Sequence, residues 1–364
     1  MKVRELSRVA SYYFKDRNKL SKTRVGIINV TGYAGVELAR LLYQHPDVEL
    51  TSVTGRSAAG QKLGVVFPHL VSLGLTVEAE PGKVDFAFSA MPHKESAKEV
   101  IPLINAGIKV VDISADFRLK EAEEYPRWYG FSHPAPQLLP KSVYGLTELY
   151  RAQVASAQLV ANPGCYPTGA ILALAPAVKE SLIEPDIIVD SKSGVSGAGR
   201  SLSLQTHFSE VNEDAAAYAL EGHRHLPEII QELKLLGARS PSITFVPHLI
   251  PMTRGILTTT YAHLVPGKIA AGKKGEEEVR QVYLDSYKDE PFVRVVELPP
   301  HTKHTWGNNL CLIHPTIDQR TGRLIVISCL DNLVKGAAGQ AIQNMNLMLG
   351  LPETTGLEAL AIYP

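Results

Sequence analysis

Cysteine is scarce in this chain. Among 364 residues there are three, Cys165, Cys311 and Cys329, with no Cys-x-x-Cys pair and no cysteine–histidine ligand spacing. That excludes a disulfide scaffold and a structural zinc site, and it points to a reducing compartment. Net charge is also lacking: Lys+Arg and Asp+Glu are both 37, and no stretch gathers the basic residues. A nucleic-acid partner is therefore not expected. No apolar run approaches the ~20 residues that span a bilayer, so no membrane partner is expected either. Residues 1–23 have no signal-peptide core, and Glu5 and Asp16 interrupt a transit-peptide pattern. They are set aside as an extension without an assigned role. What is present, 45% hydrophobic and 20% charged residues with glycine and proline throughout, describes a globular chain of about two domains.

From Arg24 onward strands and helices alternate. RVGIINV reads as a buried strand, TGYAG as a turn, and VELARLLYQH as an amphipathic helix stopped by Pro46. VELTSVTG, VDFAFSA and IKVVDIS continue as strands, with a helix over about 94–106 between the last two. This alternation predicts an α/β fold with a Rossmann-type parallel sheet. It lapses in a Pro- and Tyr-rich passage around 120–160, then resumes with QLVANPG and the helix through ILALAPAVKE. Six strand-like runs follow, DIIVDSKS to RLIVISCLDN, with few long helices, which predicts an α+β domain on a mixed sheet. LVKGAAGQAIQNMNLMLG has helical spacing and is expected to return to the first domain. The expected division is 24–164, 165–331 and 332–364.

The segment from Gly26 to Gly35 lies between a strand and a helix, where backbone N–H groups can hold a pyrophosphate. Thr31, Gly32, Tyr33, Ala34 and Gly35 would form the phosphate turn; the other reading is a tight turn and nothing more. The second strand ends in Thr54-Gly55-Arg56-Ser57, without the acidic residue that binds a ribose 2′-hydroxyl. Arg56 and Ser57 would instead suit a 2′-phosphate, hence NADP(H), unless Arg56 is a solvated loop residue.

Asn162-Pro163-Gly164-Cys165-Tyr166-Pro167-Thr168 closes a strand and opens a helix, with Pro167 in the first turn. A cysteine there feels the positive end of the helix dipole, so its pKa should fall, as a covalent nucleophile requires. Cys311 and Cys329, inside apolar runs, read as core thiols. A nucleophilic thiol needs a group to handle protons. The densest candidate cluster is Glu221-Gly222-His223-Arg224-His225-Leu226-Pro227-Glu228, in which Glu228 could orient an imidazole or bind substrate. No third ligand accompanies the two histidines, so no metal is expected. His248, His301 and His304 read as rim or structural residues.

With these motifs in hand, the sequence resembles the N-acetyl-gamma-glutamyl-phosphate reductase family from about Arg24 to the C-terminus. The resemblance is carried by TGYAGVELARLL, FPHL, DISADFRL, NPGCYPTGAILAL, SGVSGAGR, GHRHLPEI, PHLIPMTRGIL and DNLVKGAAGQA. It implies an aspartate-semialdehyde-dehydrogenase-like fold, an acyl phosphate substrate, phosphate as the second product, NADPH on the first domain and a homodimer or homotetramer. It further implies that Cys165 forms a thioester in arginine biosynthesis, with His223 favoured as acid/base and His225 close behind. Arg118, Arg200 and Arg254 lie in matching motifs and would meet phosphate or carboxylate, or else brace loops. Pro92, Ser196, Gly197 and Asn332 are expected beside the cofactor, the Gly-rich 193–199 loop allowing close backbone approach.

One departure matters. The family's glycine turn begins with glycine where this chain has Asn29, the residue type that best tolerates positive φ after glycine. The nearest alternative activity is reduction of a carrier-linked glutamyl or aminoadipyl phosphate, where the residues around the cysteine differ from NPGCYPT. A non-catalytic NADP-binding sensor is disfavoured, because such a protein has no physical need for an activated thiol beside GHRHLPEI.

Overall fold

The structure, a computed structural model, describes residues 22–364; the extension set aside above lies outside them but for its last two residues. Two seven-stranded sheets organise the chain. The first contains β1 (Thr23–Ile28), β2 (Val48–Thr54), β3 (Val77–Glu78), β4 (Phe86–Ser89), β5 (Lys109–Asp112), β6 (Val143–Tyr144) and β7 (Leu159–Ala161), in the order β3-β2-β1-β4-β5-β7-β6. Every pairing in it is parallel. The order reverses between β1 and β4, and ligands of such sheets bind at that switch point. Helices α1 (Tyr33–Tyr43), α2 (Ser96–Asn105) and α3 (Thr147–Ser156) connect the strands. Both faces are covered: Phe86 and Phe88 point into one core with Val25, Ile27 and Leu38, while Ala87 joins Val110, Phe117 and Tyr125 in the other.

The passage around 120–160, where the alternation lapses in the sequence, supplies β6 and α3. A two-residue strand carries too little periodicity to be read from sequence, and pairing with β7 alone makes it one.

Helix α4 (Cys165–Lys179) is buried from Tyr166 through Val178, so it is apolar all round, as a helix packed on every side must be. The second sheet runs β12-β13-β14-β11-β8-β10-β9 and is mixed. Its strands are β8 (Ile183–Gly194), β9 (Ala216–Ala217), β10 (Ser242–Ile250), β11 (Ile256–Leu264), β12 (Val293–Val295), β13 (Cys311–Asp318) and β14 (Arg323–Leu330). Helices α4, α5 (Leu226–Leu235) and α6 (Lys273–Tyr287) cover one face. On β11 the alternate residues Ile256, Thr258, Thr260 and Ala262 are buried beneath them. The opposite face, with Ile188, Leu257, Tyr261, Leu312, Ile325 and Ile327, is half-buried.

After β14 the chain makes a π-turn, Val334–Ala338, and continues as α7 (Gly339–Met348). Ala341, Ile342 and Met345 share the core of β1 and α1. Gln340 and Asn344 donate to the Gly145 carbonyl, and Asn344 also donates to the Asn162 side chain, at 2.8–3.1 Å. The end of the chain thus braces the strand that leads to Cys165.

Candidate active site

Cys165 is the first residue of α4, capped by Gly164 at φ −67° and ψ 151°. That conformation suits any residue, so the glycine is required for space. A Cβ on Gly164 would lie 2.7 Å from His225 Nε2 and 2.9 Å from Arg118 Nη1. On its other side Cys165 meets the π-turn, where a Cβ on Gly336 would stand 2.9 Å from the cysteine Cβ. π-turns recur where a site needs local backbone displacement. The residue is half-buried and lines a cavity of about 600 Å³ together with His93, Arg118, His223, Arg224 and His225.

The expected fall in thiol pKa is not found. Burial pushes Cys165 up to about 11, against the pull of Arg118 and of the Tyr166 backbone N–H. Desolvating a thiolate costs more here than one helix terminus and one already paired arginine return. Cys311 and Cys329 are buried thiols raised by the same cause, as their apolar contexts implied.

The two histidines are not equivalent. The backbone N–H of His225 donates to His223 Nδ1 at 3.1 Å, which leaves the His223 proton on Nε2, 3.4 Å from the Tyr218 hydroxyl. Tyr218 donates to the Tyr166 hydroxyl at 3.1 Å, and Tyr166 donates to the His248 carbonyl at 3.3 Å. Both nitrogens of His223 are therefore engaged in a chain that ends on a carbonyl. His225 keeps its Nε2 beside Gly164, and its buried Nδ1 has no partner. Burial lowers both pKa values, His223 to about 4 with Arg224 adding to the effect. That of His225 falls well below the ordinary value, with His223 and Arg118 adding to burial. Both imidazoles are neutral near pH 7.

The charged candidates separate in space. Glu228 is fully buried and does not line the cavity. Its Oε1 accepts the Gly164 N–H at 2.7 Å and the Tyr144 hydroxyl at 2.6 Å, so it neither orients an imidazole nor reaches substrate. Arg118 is braced by the Asn162 and Ile113 carbonyls and by Glu228 at 3.3 Å, and presents its remaining edge to the cavity. Arg200 is outside this cavity: it lies 4.8 Å over the Phe67 ring and donates to the Thr31 carbonyl at 3.1 Å, beside the glycine turn. Arg254 is also outside it. It joins Glu37 of α1 at 2.8 Å and Asp331 at 3.5 Å, a tie between the two sheet domains. Matching motifs did not separate these roles, because sequence spacing does not say which side of a loop an arginine leaves from.

Two groups were missed. Arg224, between the histidines, lines the cavity and approaches the His93 ring at 2.8 Å, whose pKa is lowered to about 4 by burial and then by Arg224. Its place inside GHRHLPEI was the available signal. Tyr218 and Tyr166 hold His223; an isolated tyrosine at 218 gave no such signal.

The glycine turn fits a dinucleotide. Asn29 adopts φ +65°, the left-handed conformation its position demands. Its side chain donates to the Ala90 carbonyl at 2.9 Å and accepts from the Thr31 hydroxyl at 2.9 Å, so the asparagine braces the turn it opens. A Cβ on Gly35 would meet the Asn29 carbonyl at 2.6 Å, so helix α1 approaches this closely only with glycine there. Gly32 caps α1 without a side-chain bond, and the first turn holds no acidic residue, which suits a phosphate. Tyr33 is exposed beside Arg200, and Ala34 continues the first turn. A neighbouring cavity of about 220 Å³ is lined by Asn29, Thr31, Arg56, Ser57 and Pro92, with Arg56 held 3.5 Å from both Glu95 and Glu99. Pro92 and Gly197 also line the cysteine cavity. Asn332 is buried: it accepts from the Gly255 N–H at 2.8 Å and donates to Ser196 at 2.9 Å, bracing two loops, and it lines neither of these two cavities.

Comparison with known proteins agrees with this layout. The semialdehyde dehydrogenase NAD binding domain matches residues 24–157, and the semialdehyde dehydrogenase dimerisation domain matches residues 165–332. The N-acetyl-gamma-glutamyl-phosphate reductase of Dehalococcoides mccartyi is 58% identical over 347 residues, covering 95% of this chain and 100% of its own. That of Pelotomaculum thermopropionicum is 50% identical over 350 residues, covering 94% and 99%. Aspartate semialdehyde dehydrogenase II from Vibrio cholerae superposes with a TM-score of 0.67 at 16% identity, covering 91% of this chain and 99% of its own. Aspartate semialdehyde dehydrogenase with NADP from Candida albicans gives 0.62 at 14% identity, covering 90% and 99%. At such identities the likeness shows the fold.

Proposed function

The chain belongs to the N-acetyl-gamma-glutamyl-phosphate reductase family, and from that membership we propose that it reduces N-acetyl-gamma-glutamyl phosphate to N-acetyl-glutamate 5-semialdehyde with NADPH, releasing phosphate, in the arginine biosynthesis of the cytoplasm. The observation that carries the mechanism is Cys165 at the start of α4, in one cavity with His225, whose Nε2 adjoins the preceding residue.

The Cys165 thiolate attacks the acyl carbon, the C–O bond to phosphate breaks, and the acyl group is held as a thioester. Hydride is the chemistry NADPH supplies when bound. As the resulting hemithioacetal collapses, the carbon–sulfur bond breaks and the electron pair returns to sulfur. His225 is assigned the acid/base role in place of His223, whose two nitrogens are engaged: its Nε2 takes the thiol proton as sulfur attacks and hands it back to sulfur as the carbon–sulfur bond breaks. A thiol at its raised pKa needs such a base. Arg224 and the open edge of Arg118 meet the substrate's anionic groups. Thr31–Gly35 and Arg200 would hold the cofactor's pyrophosphate, and Arg56 with Ser57 would take a 2′-phosphate, which would select NADPH. Residues 24–164 carry the cofactor, 165–331 the chemistry, and 332–364 the return to the first domain. The half-buried face of the mixed sheet pairs copies as a homodimer or homotetramer.

The test is phosphate-dependent NADP reduction with N-acetyl-glutamate semialdehyde, with aspartate semialdehyde in parallel. Activity confined to the former and abolished by Cys165→Ala is expected. Turnover in Cys165→Ala would refute the thioester, and preference for aspartate semialdehyde would refute the substrate.

A further inference from the structure

The carboxylate of Glu228 lies behind the nucleophile, not in front of it. It is fully buried, comes from α5, and holds the Gly164 N–H, the Tyr144 hydroxyl and the Arg118 guanidinium at 2.7, 2.6 and 3.3 Å. Arg118 in turn donates through Nε to the Asn162 carbonyl at 2.8 Å and through Nη2 to the Ile113 carbonyl at 2.7 Å. The three residues before Cys165 are thus clamped at both ends, the carbonyl of 162 by the cation and the amide of 164 by its counter-ion. Pro163 between them has no N–H to offer. Gly164 brings no capping side chain of its own, and a larger residue there would collide with His225 and Arg118. An anion from another helix is therefore the means of fixing this amide.

We propose that Glu228 is a positioning residue for the reaction assigned above, holding the Gly164 amide and the Arg118 guanidinium as one neutral unit that fixes the turn carrying Cys165 without touching substrate. The proposal rests on Cys165 being the nucleophile. It explains why a carboxylate occupies a place where its charge works against a thiolate: Glu228 raises the cysteine pKa and Arg118 lowers it, and removing either leaves the other buried without its partner.

The isostere Glu228→Gln keeps an oxygen for Gly164 but turns an N–H donor toward Arg118 and removes the anion. Alkylation of Cys165 by iodoacetamide, followed against pH on the full-length protein alone, should show its midpoint displaced to lower pH than in the wild type. The kcat should fall on the order of ten- to a hundred-fold and KM for semialdehyde and phosphate should rise by a smaller factor, since the turn moves while Arg118 loses Glu228 but keeps the Asn162 and Ile113 carbonyls. Tyr144→Phe removes one donor and no charge, and should leave the alkylation midpoint in place. Glu228→Asp retains the charge one methylene short of Gly164; it should lower kcat without moving the midpoint, and it serves as the reading if Glu228→Gln does not fold. An unmoved midpoint in Glu228→Gln, or a raised KM with unchanged kcat, would overturn the proposal, the second result meaning direct contact with substrate. A displaced midpoint or unchanged kcat in Glu228→Asp would overturn it too. Because alkylation is read without substrate, failure here is distinct from failure of the wild type to turn over N-acetyl-glutamate semialdehyde.

Discussion

Replacing Gly164 with alanine separates geometry from folding. Its φ and ψ of −67° and 151° lie where alanine is unstrained, and loss of chain freedom in the unfolded state would stabilise the variant by about 0.4–1 kcal/mol. The new methyl, however, would stand 2.7 Å from His225 Nε2 and 2.9 Å from Arg118 Nη1, where an ordinary contact begins at 3.4 Å. Something must yield by about 0.7 Å. Arg118 is held by two carbonyls and a carboxylate, whereas His225 has an unpartnered Nδ1 and is the softer neighbour. The imidazole should swing away from the cysteine turn. A 1 Å misplacement can cost about 10²-fold in rate, so kcat should fall roughly ten- to a hundred-fold while calorimetry finds the thermal midpoint within a few degrees of the wild type. A kcat within twofold of the wild type would refute both the close approach and the role given to His225.

His225→Asn should lose about 10²–10⁴-fold in kcat, whereas His223→Asn should lose less and act by freeing Tyr218; equal losses in steady-state assays would remove the distinction. Because His223 titrates near 4 in the fold and near 6.5 when unfolded, the unfolded chain binds more protons between those values. The histidine's contribution should thus be complete above pH 6.5 and shrink as pH falls toward 4, a slope that urea titrations should find reduced in His223→Asn, the remainder coming from His93 and His225. Arg56→Ala should weaken NADPH far more than NADH in binding titrations, while Glu95→Gln with Glu99→Gln, by freeing Arg56, should tighten NADPH alone; parallel changes for both cofactors would exclude a 2′-phosphate contact. Arg254→Met should cost about 2 kcal/mol in calorimetry, since Glu37 keeps Arg40 at 2.6 Å and Asp331 keeps backbone amides. A selective rise in KM for the acyl phosphate would return Arg254 to the substrate site.

The first domain was legible because its signals are local. Strand, turn and helix lengths around Gly26–Gly35 and Asn162–Thr168 are written in periodicity and in the few residues that tolerate their backbone, as Asn29 at φ +65° shows. The two-residue strands β3, β6 and β9 were not, since a strand that short exists only through its neighbours. Among the charged residues, motif membership singled out Arg118, Arg200, Arg254 and Glu228 without saying which of them face the cysteine cavity, and it gave no separate signal for Arg224, which lines it.

By itself the sequence determined the fold class, and it singled out Cys165, the glycine turn and the pair of histidines as the candidates for the site. Each depends on residue type and on neighbours within about ten positions. Tertiary structure alone decided that both His223 nitrogens are engaged while His225 Nδ1 has no partner, that Glu228 and Arg254 hold loops, and that burial outweighs Arg118 and the Tyr166 backbone N–H at the thiol. Those outcomes depend on which groups meet in the folded chain, as Glu228 meets Gly164 across 64 positions and Arg254 meets Glu37 across 217, and on how much water their meeting excludes. Hydrogen-bond capacity and desolvation are properties of the assembled site, so no local pattern records them.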